Sequence, residues 1–188
     1  MEIYRRKLLI LFSSAICGCS EQLSDSTSLG SVNPIDRQKH LPFDLDISNM
    51  LPGQMLSVPT TKSVLLVVKR TDAEIRALEE GHSHLLRDLH SADSKQPDFA
   101  ENSYRSFRPD TFLVWGHCTR LGCAISRVSE IDLHSKKYKN LKISGYQCPC
   151  DGAAYDSAGR VFLNMPAKRN LEIPDYDFID DTTIRVKG

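Results

Sequence analysis

The chain has 188 residues with equal numbers of acidic and basic side chains, so its formal net charge is zero, and no nucleic-acid or strongly charged partner is expected. An apolar content of 40% in this length suffices for one globular domain with a buried core. The six cysteines are many for a cytosolic chain, and they fall into two sets, Cys17 with Cys19 and four others beyond residue 117, which implies two separate jobs.

Tyr4-Arg5-Arg6-Lys7 is a basic stretch followed by the apolar run Leu8–Phe12. The run up to Cys19 is too short to cross a bilayer of roughly 30 Å. Residues 1–19 therefore read as a signal peptide, lipoprotein-type or other membrane-targeting segment. Ile16-Cys17-Gly18-Cys19 resembles a lipoprotein processing site with Cys19 as the lipid acceptor, and Arg5-Arg6 sits where a twin-arginine signal would. An unprocessed anchor helix is the alternative. Either way the domain is expected outside the cytoplasm, on the periplasmic side, held to the membrane by its N-terminus. Residues 20–42 are polar, with Pro34 and Pro42, and read as a tether.

From residue 43 onward the pattern is that of strands. Phe43, Leu45 and Ile47 alternate with Asp44 and Asp46. Pro52-Gly53 is a turn, and Ser63–Arg70 is a β-branched core strand. Thr71-Asp72-Ala73-Glu74 is a capping box opening a helix with Ile75 and Leu78 on one face, ended by Gly81. Residues 82–108 read as helical, then irregular and polar; His82, His84 and His90 lie here on a solvated surface. The strand Thr111–Trp115 leads into Cys118-Thr119-Arg120-Leu121-Gly122-Cys123. Residues 124–147 read as an inserted surface loop carrying the basic patch Lys136-Lys137-Tyr138-Lys139. A second loop, Cys148-Pro149-Cys150-Asp151-Gly152, precedes the strand–turn–strand Ala154–Val161, and short strands continue to Val186. The residues thus imply a mainly β, antiparallel sandwich with one short helical insertion.

Two short cysteine loops, each closed by glycine, make a clamp. Such a clamp can hold an iron–sulfur cluster or zinc, or be tied by a disulfide. The C-x-x-x-x-C and C-x-C loops resemble those of the Rieske iron–sulfur proteins, which read C-T-H-L-G-C and C-P-C-H-G. The likeness extends over about residues 44–188, through Val68–Ile75, Tyr155-Asp156, Gly159-Arg160, Pro166-Ala167 and Leu171–Pro174, and is greatest to the Rieske subunits of ubiquinol–cytochrome c reductase. Ser31-Val32-Asn33-Pro34 resembles the segment that follows the membrane helix in those subunits. The resemblance implies a Rieske-like domain over 43–188 with a loop subdomain at about 112–155, a 2Fe-2S cluster, electron transport, and cytochrome b and cytochrome c subunits of a respiratory membrane complex as partners. It implies Cys118 and Cys148 as thiolate ligands, Cys123 and Cys150 as a disulfide, and Tyr155 as the tyrosine that supports the ligand sulfur.

Both histidine ligand positions are changed, to Arg120 and Asp151. A guanidinium has no lone pair to offer, and a carboxylate is a hard donor poorly matched to this iron. Neither supplies an imidazole that titrates with redox state, so quinol oxidation of the family type is expected to be absent. Ala153 stands where the family often has a serine donating to a cluster sulfide. His117 and Asp151 are candidate substitute ligands, although successive strand side chains point to opposite sides. Three readings remain open: a redox-silent structural or accessory subunit with an Arg120–Asp151 ion pair bridging the loops, an electron-transfer protein with atypical ligands, and a zinc or thiol site built from Cys118, Cys123, Cys148 and Cys150.

Overall fold

The computed structural model describes residues 38–80, 82–131 and 143–187. The leader with Cys19, most of the tether, Gly81 and the Lys136–Lys139 patch lie outside the described residues.

Three antiparallel sheets carry the described chain, each of three strands. The first pairs β1 (Phe43–Asp46) with β9 (Thr183–Val186), which also pairs with β8 (Tyr176–Phe178). The second runs β2 (Met55–Pro59), β3 (Val64–Lys69), β4 (Thr111–Trp115). The third is small, with β5 (Ser126–Val128), β6 (Gly145–Gln147) and β7 (Ala154–Asp156). The expected antiparallel β architecture with one short helix is what forms.

Local sequence explains the main elements. In β1, Leu45 is buried and Asp44 and Asp46 are exposed, as the alternation requires. Leu65 to Val68 of β3 and all of β4 are buried, which is why these two strands are continuous apolar runs rather than alternating ones. The helix α1 (Asp72–Glu80) opens with a reciprocal capping box. The Thr71 N–H donates to Glu74 Oε2 at 2.9 Å, and the Glu74 N–H donates to Thr71 Oγ1 at 3.2 Å. The other Glu74 oxygen accepts from Arg127 Nη2 of β5 at 2.6 Å, so the helix start also anchors the small sheet.

Two segments differ from expectation. Between residues 82 and 108 the described residues hold only single turns of 3₁₀ helix, Ser83–Leu85 and Asp98–Ala100. Without an apolar helical face, the segment is fixed by polar anchors instead. Asp88 accepts from the Ala92 and Asp93 N–H groups and from Ser94 Oγ. Arg105, 1% exposed, donates to Gln96 Oε1 and to the carbonyls of Ala158, Gly159 and Leu171. Arg70, 2% exposed, reaches the carbonyls of Tyr104, Pro109 and Ser157 and lies over the Phe112 ring. Burial lowers its guanidinium to about 10, so it stays charged at neutral pH. Residues 124–147 are not all surface loop either, since β5 and β6 form their two ends and pair with each other.

Candidate functional site

Each cysteine loop starts just past the end of a strand. Trp115 closes β4 and the first loop begins at Cys118; Gln147 closes β6 and the second begins at Cys148. The two loops share one hydrogen-bond frame. The Cys118 N–H donates to Cys123 O at 2.8 Å and the Gly122 N–H to Cys118 O at 2.9 Å. The Cys148 N–H donates to Ala153 O at 2.8 Å and the Gly152 N–H to Cys148 O at 2.9 Å. The frame turns each chain through a left-handed residue, Gly122 at φ +72° and Gly152 at φ +71°. No atom lies within 4 Å of a Cβ built on either glycine, so backbone angle rather than space selects them.

The frame brings four sulfurs together. Cys123 and Cys150 are bonded, with Cα atoms 6.5 Å apart. Cys118 and Cys148 are free thiols, each 1% exposed. Their sulfurs and one Asp151 oxygen lie within 4.8 Å of one another. Arg120 Nη1 donates to Asp151 Oδ2 at 3.2 Å across the loops, and the Ala153 N–H donates to Asp151 Oδ1 at 3.0 Å. The Asp151 side chain is 7% exposed and that of Arg120 50%. Tyr155 Oη sits 3.4 Å from Cys118 Sγ and 3.3 Å from Thr119 Oγ1. The Thr119 hydroxyl proton goes to Arg169 O at 2.8 Å, so the Tyr155 O–H must be the donor toward Cys118 or Thr119.

These contacts set the protonation of the site. For Asp151, burial acts to raise the carboxyl, but the Ala153 N–H, the Cys148 thiol and the Arg120 guanidinium outweigh it and hold it below the usual carboxylate range. Cys118 is likewise opposed by burial, yet the Tyr155 hydroxyl and the Leu121 and Arg120 backbone N–H groups bring its thiol below the ordinary value. Cys148 moves the other way, pushed up by burial and by the Asp151 carboxylate.

The donor set does not fit a two-iron cluster of the Rieske kind. Such a cluster takes four protein donors, two of them neutral imidazoles. Here the loops present two thiols and one carboxylate already engaged by Arg120 and Ala153. Arg120 cannot ligate. His117 Nδ1 faces Ser63 Oγ at 3.1 Å, and among the described residues His117 belongs to neither group of three side chains spaced to hold a metal. Neither does His82, His84 or His90. Ala153 is fully buried and has no hydroxyl to offer. A cleft of about 280 Å³ runs beside the first loop, lined in part by His117, Cys118, Thr119, Arg120 and Arg169.

Residue types alone did not reveal two features of this site: the Thr119–Arg169 contact that orients Tyr155, and the approach of Cys148 to the disulfide. Cys123, Cys148 and Cys150 place their sulfurs within 4.8 Å of one another. Both features depend on how close the loops come, which the cysteine spacing does not state.

No protein-family model matches the chain. Among characterised proteins, the ubiquinol–cytochrome c reductase iron–sulfur subunit of Allochromatium vinosum is 34% identical over 187 residues, covering 97% of this chain and 87% of that protein. The subunit of the same name from Blastochloris viridis is 33% identical over 146 residues, covering 77% and 70%. Among solved structures, a chain of a hyperthermophilic respiratory complex III aligns with TM-score 0.41 at 19% identity, over 87% of this chain and 82% of that one. With likeness of that extent to the Allochromatium vinosum subunit, and with the paired cysteine loops on an antiparallel β scaffold, the chain belongs to the family of Rieske iron–sulfur subunits of ubiquinol–cytochrome c reductase.

Proposed function

We propose that this chain is a Rieske-fold subunit or accessory paralogue of a respiratory membrane complex, in which an ion pair stands where the family holds its cluster through histidines, and that it does not oxidise quinol. The observation that carries this reading is the 3.2 Å contact of Arg120 Nη1 with Asp151 Oδ2. It joins the two family ligand positions to each other, which supports a bridge of opposite charges between the loops. The disulfide and the matched loop frames, which hold the two loops together through protein bonds alone, support this reading. The basic and apolar leader supports a periplasmic location with the N-terminus at the membrane, through Cys19 or a targeting helix. Membership of the family supports cytochrome b and cytochrome c subunits as neighbours.

A second reading rests on a specific observation. Cys118, Cys148 and Asp151 present two sulfurs and an oxygen within 4.8 Å of one another. That set, with Arg120 swung away, suits a metal, either zinc completed by water or an atypical 2Fe-2S centre. Purification of the full chain with iron, zinc and acid-labile sulfide quantified, together with visible absorption and EPR, separates the readings. The ion-pair reading expects a colourless, folded protein with iron and sulfide far below one per chain. A reducible two-iron spectrum would overturn it.

A further inference from the structure

We propose that Cys118, Cys148, Cys123 and Cys150 form an internal thiol–disulfide exchange site, in which the buried thiol pair displaces the disulfide and moves two free thiols to the outer end of the clamp. The proposal rests on the cluster-free reading above, because iron on Cys118 and Cys148 would block it.

Cys148 is the pivot. Its sulfur lies within 4.8 Å of the Cys118 sulfur on one side and within 4.8 Å of both disulfide sulfurs on the other. Thiol–disulfide exchange proceeds by attack of a thiolate on one sulfur of a disulfide through a mixed disulfide. All the sulfurs needed for two such steps are therefore already neighbours. Burial gives the exchange a direction in space. Cys118 and Cys148 are 1% exposed, whereas Cys150 is exposed and Cys123 half-buried. Attack at Cys123 is the productive route, since a bond from Cys148 to Cys150 would close a ring through Pro149 alone.

The steps balance without any added oxidant. Cys148, although burial and Asp151 push its thiol up, is the free sulfur that lies beside the disulfide; in its thiolate form it attacks Cys123 Sγ, the Cys148–Cys123 bond forms, the Cys123–Cys150 bond breaks, and Cys150 leaves as thiolate. The Cys118 thiolate then attacks Cys148 Sγ; the Cys118–Cys148 bond forms and Cys123 leaves as thiolate. The two protons lost from Cys118 and Cys148 end on Cys123 and Cys150. One disulfide and two thiols exist before and after. What changes is that the thiols now lie on the exposed Cys150 and the half-buried Cys123, where a dithiol or disulfide of another protein can meet them.

The test applies N-ethylmaleimide to the folded full chain without reductant, followed by digestion without reduction and mass spectrometry of the linked peptides. The expected result is label on Cys150 and Cys123 together with a Cys118–Cys148 linked peptide. Cys118→Ser is expected to stop the relay halfway, with a Cys123–Cys148 peptide and label on Cys150. Cys148→Ser is expected to slow labelling of Cys150 at least about tenfold, because the attacking sulfur is gone. Label confined to Cys118 and Cys148 with the Cys123–Cys150 bond intact overturns the proposal, and so does the absence of label on all four until the chain is denatured. Iron and sulfide are measured on the same sample. A cluster there sinks the cluster-free reading and the exchange with it, while an iron-free protein with an undisturbed disulfide sinks the exchange alone.

Discussion

Replacing Asp151 with alanine removes the contact with the Cys148 thiol and two further interactions of unequal worth. The ion pair to Arg120 ends in a side chain that is half exposed, so its contribution is that of a surface pair, about 0.2–1 kcal/mol. The second interaction is the Ala153 N–H, which donates to Asp151 Oδ1 from a residue that is fully buried. Leaving that donor without an acceptor costs about 1–3 kcal/mol. Asp151→Ala is therefore expected to destabilise the fold by about 1–4 kcal/mol, most of it from the backbone donor. Arg120→Ala touches only the ion pair and is expected to cost at most about 1 kcal/mol. Asp151→Asn keeps an acceptor for Ala153 and should behave like Arg120→Ala. The assay is urea unfolding under non-reducing conditions, followed by fluorescence of Trp115, the sole tryptophan, which lies at the root of the first loop. The carboxyl of Asp151 is held low in the folded state, so its contribution is present above the unfolded carboxylate value of about 3.9 and is lost as pH falls through the lower folded value. The gap between Asp151→Ala and wild type should therefore narrow as the pH drops below about 4, by the charge-dependent part alone, because a neutral carboxyl still accepts from Ala153. Equal costs for Arg120→Ala and Asp151→Ala, or a double-mutant coupling above about 2 kcal/mol, would refute the division of energies.

Other perturbations follow from the same geometry. Cys123→Ser combined with Cys150→Ser opens a cross-link spanning 27 residues and is expected to cost about 3–4 kcal/mol, measured by the same unfolding assay. Arg105→Met removes donors from three buried carbonyls, those of Ala158, Gly159 and Leu171, and should cost about 3–5 kcal/mol; a loss under about 1 kcal/mol would mean that the guanidinium is dispensable. Arg120→His together with Asp151→His returns two imidazole donors to the loops. Iron and acid-labile sulfide in equal amounts and a visible absorption band are expected, and a protein that remains colourless would place the defect elsewhere in the clamp.

Much of this architecture can be read from residue order, and the parts that cannot have a common cause. The Thr71–Glu74 capping box, the alternation in β1 and the apolar run of β4 are local patterns, and local hydrogen bonds and burial realise them. β2 carries no readable alternation, because Val58 is its only buried residue, and it ends at Pro59. β5 and β6 are three residues each, too short for any period to register. The turns between 82 and 108 depend on Asp88, Arg105 and Asn170, whose partners are read only in three dimensions. At the site, the residue types at 120 and 151 show that neither family histidine position carries an imidazole. The nearness of Cys148 to the disulfide depends on how the loops approach, which residue order does not state.

The first loop passes from β4 of one sheet toward β5 of another, whereas the second loop stays within the small sheet, between β6 and β7. The Cys123–Cys150 bond is thus a hasp between sheets rather than a brace within one. While it is shut, opening of the small sheet drags on the strand that carries Trp115, and the amide protons of β4 and β6 should exchange with water on a shared schedule. Once it is cut, the small sheet can open alone, and its amides become the faster set.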